Sequence, residues 1–307
     1  MSKNPTPHFE KLTAALQNEK LPARDKPRIE AAVERYHLWL KDLDSAYKLG
    51  EPAKVLKKLI QLLNEYKLYV DVDLIFNSED DFLYRQKGQL KLDNSIIEEF
   101  LPFLIHPSLV PEVSSVQISV GPTTTFSSVY FTSSLDSPKS GAGMNIRTKD
   151  QDFAISKKLY LKASHDSEFR EAVTKETYVG YVVAEVKTNL DKTMFQEACA
   201  TAHDVKSSVS GAKYFLLCEW LDMTPVSTAP TDIDEVIILR KAKRLNSNVR
   251  KDFDTFEKRK TRRDEYVRYL KANPLSEEML GRFLVHITRL IKADVPIEKD
   301  VLDVGYF

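Results

Sequence analysis

The chain has 307 residues, and its 45 basic and 45 acidic side chains cancel, so no whole-molecule field draws it toward nucleic acid or an anionic membrane. Hydrophobic residues make up 42% of the sequence, enough to build the core of one large or two ordinary domains. No apolar run reaches the roughly 18 residues of a membrane span, and the opening MSKNPTPHFEKL has no signal-peptide core, so a cytoplasmic protein is expected.

The first part of the chain has helical periodicity. PRIEAAVERYHLWLKDL spaces Ile29, Val33, Tyr36 and Leu40 for one helix face behind Pro27, which suits a first turn. AKVLKKLIQLLNEYKL repeats the pattern with Val55, Leu59, Leu62, Leu63 and Tyr66. NSIIEEFLPFLI predicts a third helix, with Asn94 or Ser95 as cap, ending before His106-Pro107. Residues 1–110 are thus read as a mainly helical N-terminal region.

After Pro111 the period changes from helical to alternating. VSSVQISV alternates Val116, Ile118 and Val120 with polar residues, which predicts a strand with one wet face, and SSVYFTS is read as its neighbour. SLDSPKSGAG is a loop, followed by a strand from about Asp152 to Leu161. SEFREAVTKE is short and compatible with a helix. YVVAEVKT reads as a strand and DKTMFQEACATAHDVKSS as an amphipathic helix, with Asp191 suited to cap it. AKYFLLCEWL and DEVIILR supply two more strands, giving an α/β core over 111–245. Helices at about 246–273 and 276–292, separated by Asn273-Pro274, form a helical C-terminal region (246–307) packed on that core.

Charge is unevenly spread. Between Arg240 and Lys271 there are thirteen Lys or Arg against five Asp or Glu, a candidate phosphate-contacting surface that could equally be a solvated helix face. Lys139, Arg147 and Lys149 precede the Asp152 strand and suit contacts to a nucleic-acid backbone. The two cysteines, Cys199 and Cys218, sit in apolar-patterned segments and read as buried thiols. The six histidines lack a zinc-helix spacing, and Ser140-Gly141-Ala142-Gly143 lacks the lysine and the strand-to-helix setting of a phosphate loop.

The most informative stretch is YVGYVVAEVKTNLDKT, a strand pattern with Glu185 and Lys187 set two residues apart and therefore on one face. Unpaired charge in a buried strand costs several kcal/mol, roughly, so these groups must pair, meet water or hold an ion. An ion pair at a sheet edge is the plain reading. Asp152, at the start of the preceding strand, offers more: two carboxylates with water and a phosphate oxygen meet the octahedral, oxygen-rich demand of Mg²⁺. Asp150 is a rival for the first ligand; Asp152 is preferred because the apolar strand begins directly after it.

Asp152-Phe153-Ala154-Ile155 followed by Glu185-Val186-Lys187 on a strand and then a helix resembles the PD-(D/E)XK nuclease superfamily, with Gln151 standing where the motif name has proline. The wider chain resembles Type II restriction endonucleases, most of all the BbvCI-like group. The resemblance implies a restriction-endonuclease-like α/β fold, a central mixed β-sheet flanked by helices, with the helical regions added at both ends. It implies Asp152 and Glu185 as metal ligands and Lys187 as the water-positioning group. The activity implied is Mg²⁺-dependent, sequence-specific cleavage of double-stranded DNA to 5′-phosphate and 3′-hydroxyl ends in a restriction-modification system. Cutting both strands implies a homodimer, or a heterodimer with a related subunit. A repair or structure-specific nuclease, or a catalytically silent DNA-binding subunit of the same fold, are the competing readings.

Overall fold

Proline at the first turn, where its missing N–H costs nothing, starts three of the N-terminal helices: α1 (Pro7–Leu16), α2 (Lys26–Ala46) and α3 (Pro52–Leu68). The computed structural model describes residues 6–292 together with 302, 303 and 305. The buried edge of α2 runs through Ile29, Ala32, Tyr36, Trp39 and Leu43, while that of α3 includes Val55, Leu59, Leu63 and Tyr66. A π-helical segment (Tyr69–Phe76) prolongs α3, and α4 (Phe82–Leu90) and α5 (Ser95–Leu104) follow. Asn94 caps nothing: its backbone is already helical, and its amide donates to Glu98 Oε1 and to the Val186 carbonyl, each at 3.1 Å.

Five strands form one mixed sheet in the order β1-β2-β3-β4-β5. β1 (Ser119–Phe131), β2 (Met144–Ala163) and β3 (Val173–Leu190) are antiparallel, and β4 (Lys213–Leu221) and β5 (Glu235–Ile238) extend the sheet in parallel. The parallel step from β3 to β4 is made through α6 (Lys192–Ser208), capped by Asp191, whose side chain accepts from the Met194 N–H. The expected α/β class with a mixed central sheet is therefore observed.

Three local expectations change. Residues 113–115 lie in a 3₁₀ turn, and the two strands expected between 113 and 133 are the single strand β1. Pro122 has no N–H for the ladder, and the β1–β2 register shifts between Gly121 and Thr123. Residues 165–172 form turns, after which β3 begins at Val173, earlier than the apolar pattern predicts. β2 also bends far enough to bring its two ends near each other. A Cβ added to Gly141, just before β2 and at φ +53°, would lie 2.6 Å from the carbonyl oxygen of Ala163, the last residue of β2.

Apolar packing covers both faces. Phe195, Ala198, Ala202 and Val205 of α6 pack with Val183, Tyr214, Leu216 and Cys218. On the opposite face, Val182, Ala184 and Val186 join Phe215 and the N-terminal helices in one continuous core. The C-terminal helices are α7 (Ser247–Lys251), α8 (Phe256–Ala272) and α9 (Glu277–Lys292), so the helix expected over 246–273 is broken near residue 252. Phe283 of α9 meets Phe153 and Phe215 edge-on, with ring centroids 5.8 and 5.2 Å apart.

A buried ionic cluster ties the helices to the sheet. Glu219 of β4 pairs with Lys67 of α3 at 3.0 Å and with Arg240 at 2.9 Å, while Lys67 also holds Asp71 at 2.8 Å. Burial opposes the Glu219 charge, but the two cations outweigh it and hold the carboxyl below its ordinary range. Removing one member of such a cluster leaves charge uncompensated in the interior. Glu219→Gln is expected to lower unfolding free energy by about 3 kcal/mol in urea titration with little change in volume.

Candidate active site

Phe153 lies opposite Ala184 in the antiparallel β2–β3 ladder, a register that makes Asp152 the cross-strand neighbour of Glu185. Alternation then places Lys187 on the same face as Glu185 and Val183, the face covered further along by α6. The structure brings the three charged residues together at the point where that face opens into a cleft of about 620 Å³.

The two carboxylates are fixed differently. Asp152 Oδ2 accepts the Val186 N–H at 2.8 Å. Glu185 accepts the Tyr214 hydroxyl through Oε2 at 2.8 Å and pairs with Lys187 Nζ through Oε1 at 2.6 Å. Burial raises the Asp152 pKa, and Glu185 adds to this by like-charge repulsion, against the lowering influence of the Val186 N–H, Lys91 and Lys187. Burial works against the Lys187 ammonium, yet its contact with Glu185 and the charge of Asp152 carry the pKa above the ordinary lysine value. Lys187 is thus held as an ammonium against Glu185.

Asp150 lines the same cleft, but it is exposed and its Oδ1 accepts the Thr124 hydroxyl at 2.8 Å. Gln151, also in the cleft lining, is buried and donates to Thr125 Oγ1 at 3.1 Å. Among the described residues no group of three or more His, Cys, Asp or Glu side chains is arranged to hold a metal ion. Two mutually repelling, partly desolvated carboxylates still suit a divalent cation that takes its remaining ligands from water and a phosphate. In that sense Asp152 and Glu185 fit Mg²⁺.

Two cleft residues, Lys91 and Asn94, and the neighbouring Glu98 come from the N-terminal helical region, and their place at the site escapes sequence reading. Asn94 bridges Glu98 to the Val186 carbonyl, Glu98 senses the Asp152 charge, and Lys91 acts electrostatically on both acids. The run LKLDNSIIEE carries only helical periodicity and a cap signal at Asn94-Ser95; the contact with β3 appears only in the packing.

The basic block at 240–271 is largely occupied within the protein. Arg240 serves the Glu219 cluster; Arg259 is fully buried, donating to the carbonyls of Phe76, Phe253 and Ser78 and pairing with Asp81. Lys241, Arg244, Lys258, Arg262 and Arg263 also have carboxylate partners. Arg240 and Arg259 are therefore structural, while the pairs of Lys241, Lys258, Arg262 and Arg263 lie at the exposed surface.

Glu98 makes a pH-dependent contribution to stability. Burial, then repulsion from Asp152, raises its carboxyl pKa from its ordinary value near 4.5 to about 7. The folded state thus binds a proton over that interval which the unfolded state has released, so stability falls as pH rises from about 4.5 to about 7. Glu98→Gln should match wild type at the acidic end and exceed it by about 2 kcal/mol near pH 8, measured by urea unfolding across pH.

Comparison with known proteins follows the same lines. The family model of the Bpu10I restriction endonuclease matches residues 89–307, a span that starts two residues before Lys91 and includes Asp152, Glu185 and Lys187. No curated protein sequence matches the chain. A solved structure described as the native BbvCI A2B2 tetramer is similar over 94% of this chain and 98% of the compared chain, with a TM-score of 0.58 and 21% sequence identity. That identity speaks for the fold alone, which the two chains share. With a match over more than half its length, the chain belongs to the Bpu10I restriction endonuclease family.

Proposed function

We propose that this protein is a Mg²⁺-dependent, site-specific deoxyribonuclease of a restriction-modification system, hydrolysing phosphodiester bonds in double-stranded DNA to 5′-phosphate and 3′-hydroxyl ends. The observation carrying the reading is the convergence of Asp152, Glu185 and Lys187 in one cleft through the β2–β3 register.

Asp152 and Glu185 would hold the cation, and Asp152 is the better first ligand because Asp150 is exposed and engaged with Thr124. A divalent cation held there would supply Lewis-acid polarisation of the scissile phosphate and offset its developing charge. The protein's own groups do the positioning. Val186 N–H fixes one oxygen of Asp152, and the Tyr214 hydroxyl fixes one of Glu185, so neither carboxylate must reorganise when substrate arrives. Lys187, an ammonium beside Glu185, can orient an attacking water by donating to its oxygen and can stabilise negative charge on the phosphoryl group.

One such site cuts one strand, so two sites are needed for a double-strand break. The A2B2 assembly of BbvCI supports a dimer here, either of identical chains or with a related subunit.

Incubation with plasmid DNA and Mg²⁺ should give discrete fragments, and EDTA should abolish cutting. Glu185→Ala should lose about 10³-fold or more and Lys187→Ala about 10²–10³-fold in cleavage rate, while both still bind DNA. Asp152→Asn should match the Glu185 loss and Asp150→Asn should not. Undiminished cutting by Glu185→Ala would refute the assignment, and light scattering from a monomer would refute the dimer.

A further inference from the structure

Six cationic side chains line the cleft, and four of them already face a carboxylate: Arg85 with Asp81, Lys149 with Asp204, Lys187 with Glu185 and Arg244 with Asp222. Lys87 and Lys91 remain without a salt bridge among the described residues. They stand four positions apart, on the last turn of α4 and its C-terminal cap, and both line the cleft. We propose that Lys87 and Lys91 form a phosphate clamp, binding neighbouring backbone phosphates of the DNA strand that enters the cleft, across from the carboxylates of β2 and β3. This rests on the nuclease reading above and adds a binding surface taken from the helical N-terminal region.

Backbone conformation supports the assignment. Lys91 ends α4 in the left-handed region, at φ +50°, a position that favours glycine because a Cβ there is strained. The local structure holds this conformation from both sides: the Lys91 N–H bonds to the Lys87 carbonyl at 2.9 Å, and the Lys91 carbonyl accepts the Ser95 hydroxyl at 2.7 Å. A long cationic side chain kept at a strained cap beside a cleft is the kind of outlier from which function is inferred.

Electrostatics agree. Lys91 lowers the pKa of both Asp152 and Glu98, which places its charge within reach of the carboxylate cluster. The Lys87 ammonium lies 4.3 Å from the Tyr84 ring centroid, and burial depresses its pKa against the weaker opposing effects of Asp93 and Asp71. An ammonium with little water and no bonded carboxylate gains most from an arriving anion. Asp93, Asp150, Asp152 and Glu185 line this cleft and would otherwise repel a polyanion; the two lysines in the same lining offset that repulsion.

The test uses the full chain in EDTA, where cleavage is absent, with a labelled duplex of random sequence and titrated salt. Each phosphate contact contributes about 0.9 to the slope of log K against log salt, so Lys87→Ala/Lys91→Ala should reduce the slope by about 1.8. Lys258→Ala/Arg262→Ala, in the internally paired basic run, should leave it unchanged. Lys91→Gly separates function from folding: it relieves the left-handed strain and should raise Tm, yet it should reduce the slope by about 0.9. An unchanged slope in the double lysine variant, or a raised Tm with full affinity in Lys91→Gly, would overturn the clamp, as would failure of the wild-type chain to bind the duplex. If the wild type binds but does not cut plasmid in Mg²⁺, the nuclease reading fails and the slopes still decide the clamp. If it cuts and the slopes match, the clamp alone fails.

Discussion

The antiparallel register of β2 on β3 is the constraint on which the site depends. With Phe153 opposite Ala184, Asp152 must neighbour Glu185, and a slip of one residue would turn Glu185 and Lys187 into the apolar core. The alternation resists that slip, because Val182, Ala184 and Val186 are already buried against the helices and aromatic rings of the opposite face. Apolar packing on one face thus fixes the position of charge on the other. A hydrogen bond from the Val186 N–H to Asp152 joins the two strands at the carboxylate itself.

Charge is placed economically elsewhere in the chain. The Glu219, Lys67, Asp71 and Arg240 cluster is buried and internally neutralised, joining the N-terminal helices to β4. It lies beside the cleft but takes no part in the proposed chemistry. Arg259 and its carbonyl partners similarly secure the C-terminal helix α8 against the π-helical segment and the turn after it. The net neutrality of the sequence therefore conceals two populations of charge. One is spent on holding elements together; the other, smaller one faces the cleft with its interactions incomplete.

The cleft is composite. β2 and β3 contribute the carboxylates and Lys187, β4 contributes Tyr214 through its hydrogen bond to Glu185, and the N-terminal helices contribute Asn94, Lys87 and Lys91. Coupling of this kind explains why a helical region outside the sheet matters to the site. It carries both the residue that bridges to the active strand and the lysines that answer its negative charge.

Some of this was legible in the sequence and some was not, for physical reasons. Period-two and period-3.6 patterns identified α2, α3, α5, α6, α9 and the strands around Glu185 and Leu217, because each element buries one face and its spacing records that face. Asp191 was recognisable as a cap, since capping is a contact within a few residues. The lengths of β2 and β3 were not legible: their outer halves pair with each other while remaining largely exposed, so they lack a clean apolar period. Nor was the fate of the basic run, because whether an arginine meets a phosphate, a carbonyl or a carboxylate depends on what folds over it, as Arg259 shows. The sequence by itself determined which residues could pair across the sheet and which charges shared a strand face, both set by backbone geometry. Only the tertiary structure decided that α4 and α5 would close over them, because contacts between residues as distant as Asn94 and Val186 have no signature in local spacing.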